Sequence, residues 1–136
     1  MRRLDAADLV IVGTGAGGAT AARVLVAAGF DVLMLESGKN LRRDERPREL
    51  ADAMATAMRD FGAQTTTGLN PMVLLQGHCV GGSTAVNSGI IWRLPEDVRA
   101  AWQAEHGLGD LVSTARLDRI ATELERLLGV AETPPE

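Results

Sequence analysis

The sequence predicts an α/β protein, with a parallel strand–helix–strand unit at the N-terminus followed by helices. Three observations carry this expectation. The run "DLVIVGTG" at residues 8–15 is short, apolar and partly β-branched, and it ends in glycine. A strand buried on both faces of a parallel sheet reads this way. "AGGATAARVLVAAGF" at residues 16–30 is rich in alanine and leucine-type residues and closes on Gly29, as a helix with a glycine just past its end does. "DVLMLE" at residues 31–36 is a second apolar run that ends on an acid. Strand, helix and strand in this order form a crossover that is right-handed almost by default.

The later elements follow in order. Residues 37–48, "SGKNLRRDERPR", are polar and hold a proline, so they read as a loop. Residues 49–61 read as helix, 62–71 as irregular, and 72–77 as a short strand entering the glycine-rich "GHCVGGSTAVNSG". Residues 95–107 predict a helix with Pro95 at its first position, acids in its first turn and Gly107 at its end. The last helix carries Leu117, Ile120, Ala121, Leu124, Leu127 and Leu128 on one face, Ser113 or Thr114 as N-cap and Gly129 as stop. "VAETPPE" then trails off as a tail. Only two parallel-type strands are visible, whereas a doubly wound sheet has more. The rest of such a sheet is expected in weak segments, on another chain or in sequence lost from this one.

A length of 136 residues suits one domain, and a hydrophobic content of 46% suits a globular one. The net charge of −4 argues against a nucleic-acid partner. Local basic residues (Arg2, Arg3, Arg42, Arg43) read as solvated surface. A single cysteine, Cys79, forms no internal disulfide, so a cytoplasmic location is the simplest expectation. No apolar stretch has the length of a membrane span or the pattern of a signal peptide.

The first glycine run, Gly13-Thr14-Gly15-Ala16-Gly17-Gly18, fits G-x-G-x-x-G between a strand and a helix. Gly13 allows a tight turn, Gly15 lets backbone approach a pyrophosphate, and Gly18 lets helix and strand pack closely. The helix N-terminus adds free N–H groups and partial positive charge. Glu36 ends the second strand, where its carboxylate accepts hydrogen bonds from ribose hydroxyls and repels a 2′-phosphate. Together these predict dinucleotide binding, NADP disfavoured. The motif does not choose between FAD and NAD. No Gly-Lys-Ser/Thr follows as a phosphate-binding Walker loop requires, and the chain has no tyrosine for short-chain dehydrogenase chemistry.

A second glycine run, with Gly81, Gly82 and Ser83 ahead of Asn87, carries the more specific signal. Taken together, "VIVGTGAGGATAA", "LMLESG" and "GHCVGGSTAVNSGIIWRLP" resemble the N-terminal part of the glucose–methanol–choline (GMC) oxidoreductases, FAD-dependent enzymes that oxidise alcohols. The resemblance implies a Rossmann-like FAD-binding βαβ unit, part of an incomplete FAD-binding domain over residues 1–136. It implies that the first run holds the pyrophosphate, Glu36 holds the ribose with Ser37 among the cofactor-binding residues, and Gly81 and Gly82 let backbone lie flat on the cofactor. Ser83 is expected to donate to a phosphate or ribitol oxygen. Asn87, Ser88 and Gly89 match the family's flavin contacts. Some members attach FAD through a histidine just before this asparagine. Here that position is Val86, so non-covalent FAD is expected.

His78 reads as a polar loop residue, His106 as a partner for a helix dipole, Cys79 as a small buried apolar residue, and Trp92 and Trp102 as core. No His/Cys group has metal spacing. In the family, the substrate domain and the catalytic histidine lie beyond the region that residues 1–136 match, so no catalytic residue is assigned. Three readings stay open: the FAD-binding portion of an alcohol-oxidising flavoenzyme completed by a complementary chain, a non-catalytic NAD or FAD module, or a truncated inactive product.

Overall fold

A computed structural model describes residues 6–132, which fall into two compact units, Met1–Gly89 and Ile90–Glu136. In the first, β1 (Leu9–Val12) pairs in parallel with β2 (Val32–Leu35), Leu9 opposite Val32 through to Val12 opposite Leu35. The crossover is α1 (Ala16–Ala27), which ends as expected: Gly29 takes φ +93, and the N–H of Phe30 turns back to the carbonyl of Leu25 at 3.1 Å. This is the βαβ unit that the sequence predicts. One expectation fails. β1 is not buried on both faces, because α1 covers only the side of Ile11; Val12 on the opposite side is 84% exposed.

The helix expected over 49–61 is shorter. α2 (Leu50–Ala57) stops at Met58, whose backbone is extended, and Asp60 and Phe61 then enter the left-handed region at φ 49 and 58. Pairing with a distant segment ends it. The N–H of Arg59 donates to the carbonyl of Gln76 at 2.9 Å, and the N–H of His78 to the carbonyl of Ala57 at 2.6 Å. These bonds outweigh the helical preference of "ATAM". The irregular stretch after it yields a strand: β3 (Gln64–Thr65) lies antiparallel to β4 (Val73–Leu74). In the loop after β2, Lys39 bridges Cys79 in parallel, and the N–H of Val80 donates to the carbonyl of Lys39 at 2.9 Å. The small core of this unit includes Ala22, Ala57 and Cys79.

The second unit holds α3 (Glu96–His106), a short 3₁₀ turn (Gly109–Val112) and α4 (Thr114–Leu128). Pro95 sits one residue earlier than expected, at the N-cap of α3. Gly107 and Gly129 close the two helices at φ 61 and 67, where a left-handed residue satisfies the last carbonyls. Ser113 occupies the N-cap of α4 but makes no capping side-chain bond. Arg93 holds α4 through Glu125 at 2.8 and 2.6 Å, with Thr122 at 3.2 Å. That contact holds the Glu125 carboxyl below its ordinary range. Trp92 and Trp102 are not core. Trp92, 86% exposed, borders the groove that Leu94, Leu117 and Leu124 line, since two helices and a turn make only one packing seam. Arg42 and Arg43 are exposed, as expected, while Arg2, Arg3 and the last residues of the tail, 133–136, lie outside the described residues.

Candidate cofactor-binding site

The turn from β1 into α1 forms the floor of the site. Gly13 adopts φ +94, which only glycine takes without strain, and its N–H donates to the Leu35 carbonyl at 2.7 Å. Gly15 is the N-cap of α1. A Cβ on Gly15 would meet nothing within 4 Å, so the space before the helix is open. No side chain caps α1 and no acid occupies its first turn. The free N–H groups and the positive end of the helix dipole are therefore available to an anion. Gly18 is a packing glycine: a Cβ there would lie 2.2 Å from the Gly13 carbonyl oxygen. Ala16 and Gly17 face outward instead, beside Thr20 and Val24.

Thr14 and Glu36 tie this turn to the rest of the unit. Glu36 Oε2 accepts both the backbone N–H of Thr14 at 3.0 Å and its hydroxyl at 2.7 Å. Oε1 accepts the N–H of Gly38 at 2.9 Å. Thr14 Oγ1 in turn accepts the N–H of Gly81 at 2.9 Å. One hydroxyl thus links the first glycine run, the acid and the second glycine run. The Thr14 hydroxyl, followed by the Gly38 and Thr14 N–H groups, lowers the Glu36 carboxyl from 4.5 to about 2. Glu36 stays ionised across the physiological range. The backbone N–H of Ser37 also donates to this carboxylate, so Glu36 is held by donors from Thr14, Ser37 and Gly38.

The second run folds tightly against the first. Gly81 and Gly82 take φ +97 and +55, and a Cβ on Gly82 would come within 3.1 Å of the Gly15 Cα. The N–H of Gly77 donates to Ser83 Oγ at 3.1 Å, which orients that hydroxyl and leaves its own proton to donate elsewhere. A cleft of about 590 Å³ results, lined by Gly13, Thr14, Gly15, Glu36, Ser37, Arg59, Gly82 and Ser83 among others. Gly81 stands behind its wall, bound to Thr14. Asn87, Ser88 and Gly89 are exposed and do not line it; Asn87 Oδ1 accepts the Gly89 N–H at 2.9 Å. Val86 lines a separate apolar hollow with Cys79, Met54 and Met58. Cys79 is 1% exposed, and burial, then the charge of Glu36, pushes its thiol up, so it is an inert packing residue.

Sequence reasoning did not single out four contributors: Thr14, Gly38, Gly77 and Arg59. Gly38 and Gly77 are required by close approach, since a Cβ on either would lie 2.2 Å from backbone, of His78 and Gly82 respectively. Their signal was present as glycines at the end of β2 and at the entry to the second run. Thr14 and Arg59 carried none beyond a polar residue between glycines and a lone cation in "AMRDFG".

A βαβ turn with an ionised acid at the end of β2 defines a dinucleotide-binding protein. The family model for GMC oxidoreductase matches residues 7–136, so the chain belongs to the GMC oxidoreductase family, in its N-terminal FAD-binding region. It is 42% identical over 131 residues to an uncharacterized GMC-type oxidoreductase of Mycobacterium tuberculosis, covering 96% of this chain and 21% of that protein. It is 36% identical over 127 residues to an uncharacterized GMC-type oxidoreductase of Sinorhizobium fredii, covering 93% and 24%. A long-chain-alcohol oxidase of Arabidopsis thaliana is 37% identical over 95 residues, covering 70% and 13%. The chain spans less than a quarter of the length of these curated relatives. Among the described residues no helix is long and apolar enough to cross a membrane.

Proposed function

We propose that this chain binds FAD without a covalent bond, as the N-terminal portion of the FAD-binding domain of an oxidoreductase acting on the CH–OH group of an alcohol. The observation that carries the reading is the shared cleft, where an uncapped helix start, an ionised acid and a free hydroxyl proton line one space. The residues fit the group. The open N-terminus of α1 at Gly15 receives the pyrophosphate, the ionised carboxylate of Glu36 accepts from a ribose hydroxyl, and Ser83 donates to a phosphate or ribitol oxygen. Asn87 keeps its amide N–H groups for the flavin's polar edge, with Ser88 and Gly89 beside it. Held there, FAD would supply the hydride-accepting chemistry that alcohol oxidation needs. The residues described above bind and orient it, and hold no base for the alcohol proton. That base, a histidine, and the substrate domain are assigned to a complementary part of the protein. The lone buried cysteine supports a cytoplasmic setting.

Val86 supports non-covalent attachment, because it carries no nucleophile and lies outside the cleft. The test is gel filtration of the chain after incubation with FAD, then acid precipitation. Flavin absorption is expected to co-elute with protein and to pass fully into the supernatant on precipitation. Protein that elutes colourless, or that binds NAD in preference to FAD, would refute the reading.

A further inference from the structure

We propose that Arg59 is the phosphate-binding cation of the cleft, contacting the pyrophosphate of FAD; this rests on the cofactor reading above. Arg59 lines the cleft together with Gly13, Gly15, Gly82 and Ser83. Among the described residues it is the only basic one that does so. It is half-buried, yet among the described residues its guanidinium has neither a hydrogen bond nor an ion pair. Arg43, Arg48, Arg116 and Arg126 are exposed, so water serves them, and the half-buried Arg99 is bound by Glu96 and Gln103. A partly desolvated charge without a partner is costly unless a ligand completes it. The cleft's own acid does not. Glu36 is occupied by Thr14 and Gly38 and forms no salt bridge with Arg59.

The backbone also fixes where Arg59 stands. Its N–H is bonded to Gln76, Met58 bridges Gly77, and Asp60 and Phe61 follow in the left-handed region. Two successive non-glycine residues in that region are uncommon and mark a segment held by its surroundings. The strained turn follows α2 and holds Arg59 in the lining of the cleft that Gly15, Gly82 and Ser83 also line. A planar fork of N–H donors suits a diphosphate placed there.

The test compares FAD affinity of the wild-type chain with Arg59→Met and Arg59→Lys at low and high salt. Methionine keeps the length of the stem and leaves the Arg59 backbone bond intact. Arg59→Met is expected to weaken FAD about ten- to a hundredfold and to flatten the salt dependence, since one charged contact is gone. Arg59→Lys restores the salt dependence and part of the affinity. Unchanged affinity in Arg59→Met overturns the assignment while leaving the cofactor reading intact. Weaker binding with an unchanged salt dependence also overturns it, because a purely structural role gives that result. A wild-type chain that binds no FAD overturns both.

Discussion

Alanine at Gly18 is expected to unseat α1 from β1. The added Cβ would lie 2.2 Å from the Gly13 carbonyl oxygen and 3.2 Å from its carbon. Both atoms are backbone, and Gly13 is held by its bond to Leu35, so no rotamer change relieves the clash. The cost is about 3 kcal/mol, which for a domain of this size lowers the melting temperature by on the order of 10 °C. Gly17 supplies the control. It also lies in the first turn of α1, but a Cβ there meets nothing within 4 Å. Gly17→Ala is expected to gain about 0.5–1 kcal/mol from helix propensity alone. Melting curves followed by far-ultraviolet circular dichroism separate the two. Equal midpoints would show that Gly18 is not a packing glycine.

Glutamine at Glu36 is expected to cost about 1–2 kcal/mol in stability and about tenfold in FAD affinity. The carboxylate serves the Thr14 hydroxyl, the Thr14 N–H and the Gly38 N–H. An amide offers one acceptor oxygen and turns an NH₂ toward one of these donors. The effect carries a pH signature. The folded-state carboxyl sits near 2 rather than 4.5, so its stabilisation is complete above the unfolded value and is lost as pH falls from 4.5 toward 2. Denaturation midpoints of wild type and Glu36→Gln should therefore differ at neutral pH and converge toward pH 2. A gap that stays constant over that range would mean that charge plays no part in the bond network.

The βαβ unit was legible because each of its elements announces itself locally. Apolar runs of four residues, one between Asp8 and Gly13 and one between Asp31 and Glu36, placed β1 and β2 within a residue or two. α1 began where the glycine pattern put it. What was not legible depends on partners far along the chain. α2 ends early because Arg59 and His78 are drawn into bonds with Gln76 and Ala57. β3 is two residues long, too short for any alternation to show, whereas β4 falls within the short strand expected over 72–77. The two indoles are exposed because apolarity predicts burial only where enough layers exist to cover it. At the site, Gly13, Gly15, Glu36, Ser37, Gly82 and Ser83 converge on one cleft, whereas the hydroxyl of Thr14 that links the two runs has no sequence signature of its own.

That link also sets an order of assembly. β1 and β2 meet across a chain separation of about twenty residues, but Thr14 and Gly81 are 67 apart. The longer closure costs little extra free energy, yet distant contacts form late. During synthesis, the unit ending at Glu36 is complete while Gly81 is still unmade. In pulse-labelled hydrogen exchange, the amides of β2 should gain protection before that of Gly81; simultaneous protection would contradict this order. Until the second glycine run arrives, the Thr14 oxygen and the mouth of the turn face water, so an early-bound nucleotide would be held by one wall and shed again. Retention begins when the last piece docks.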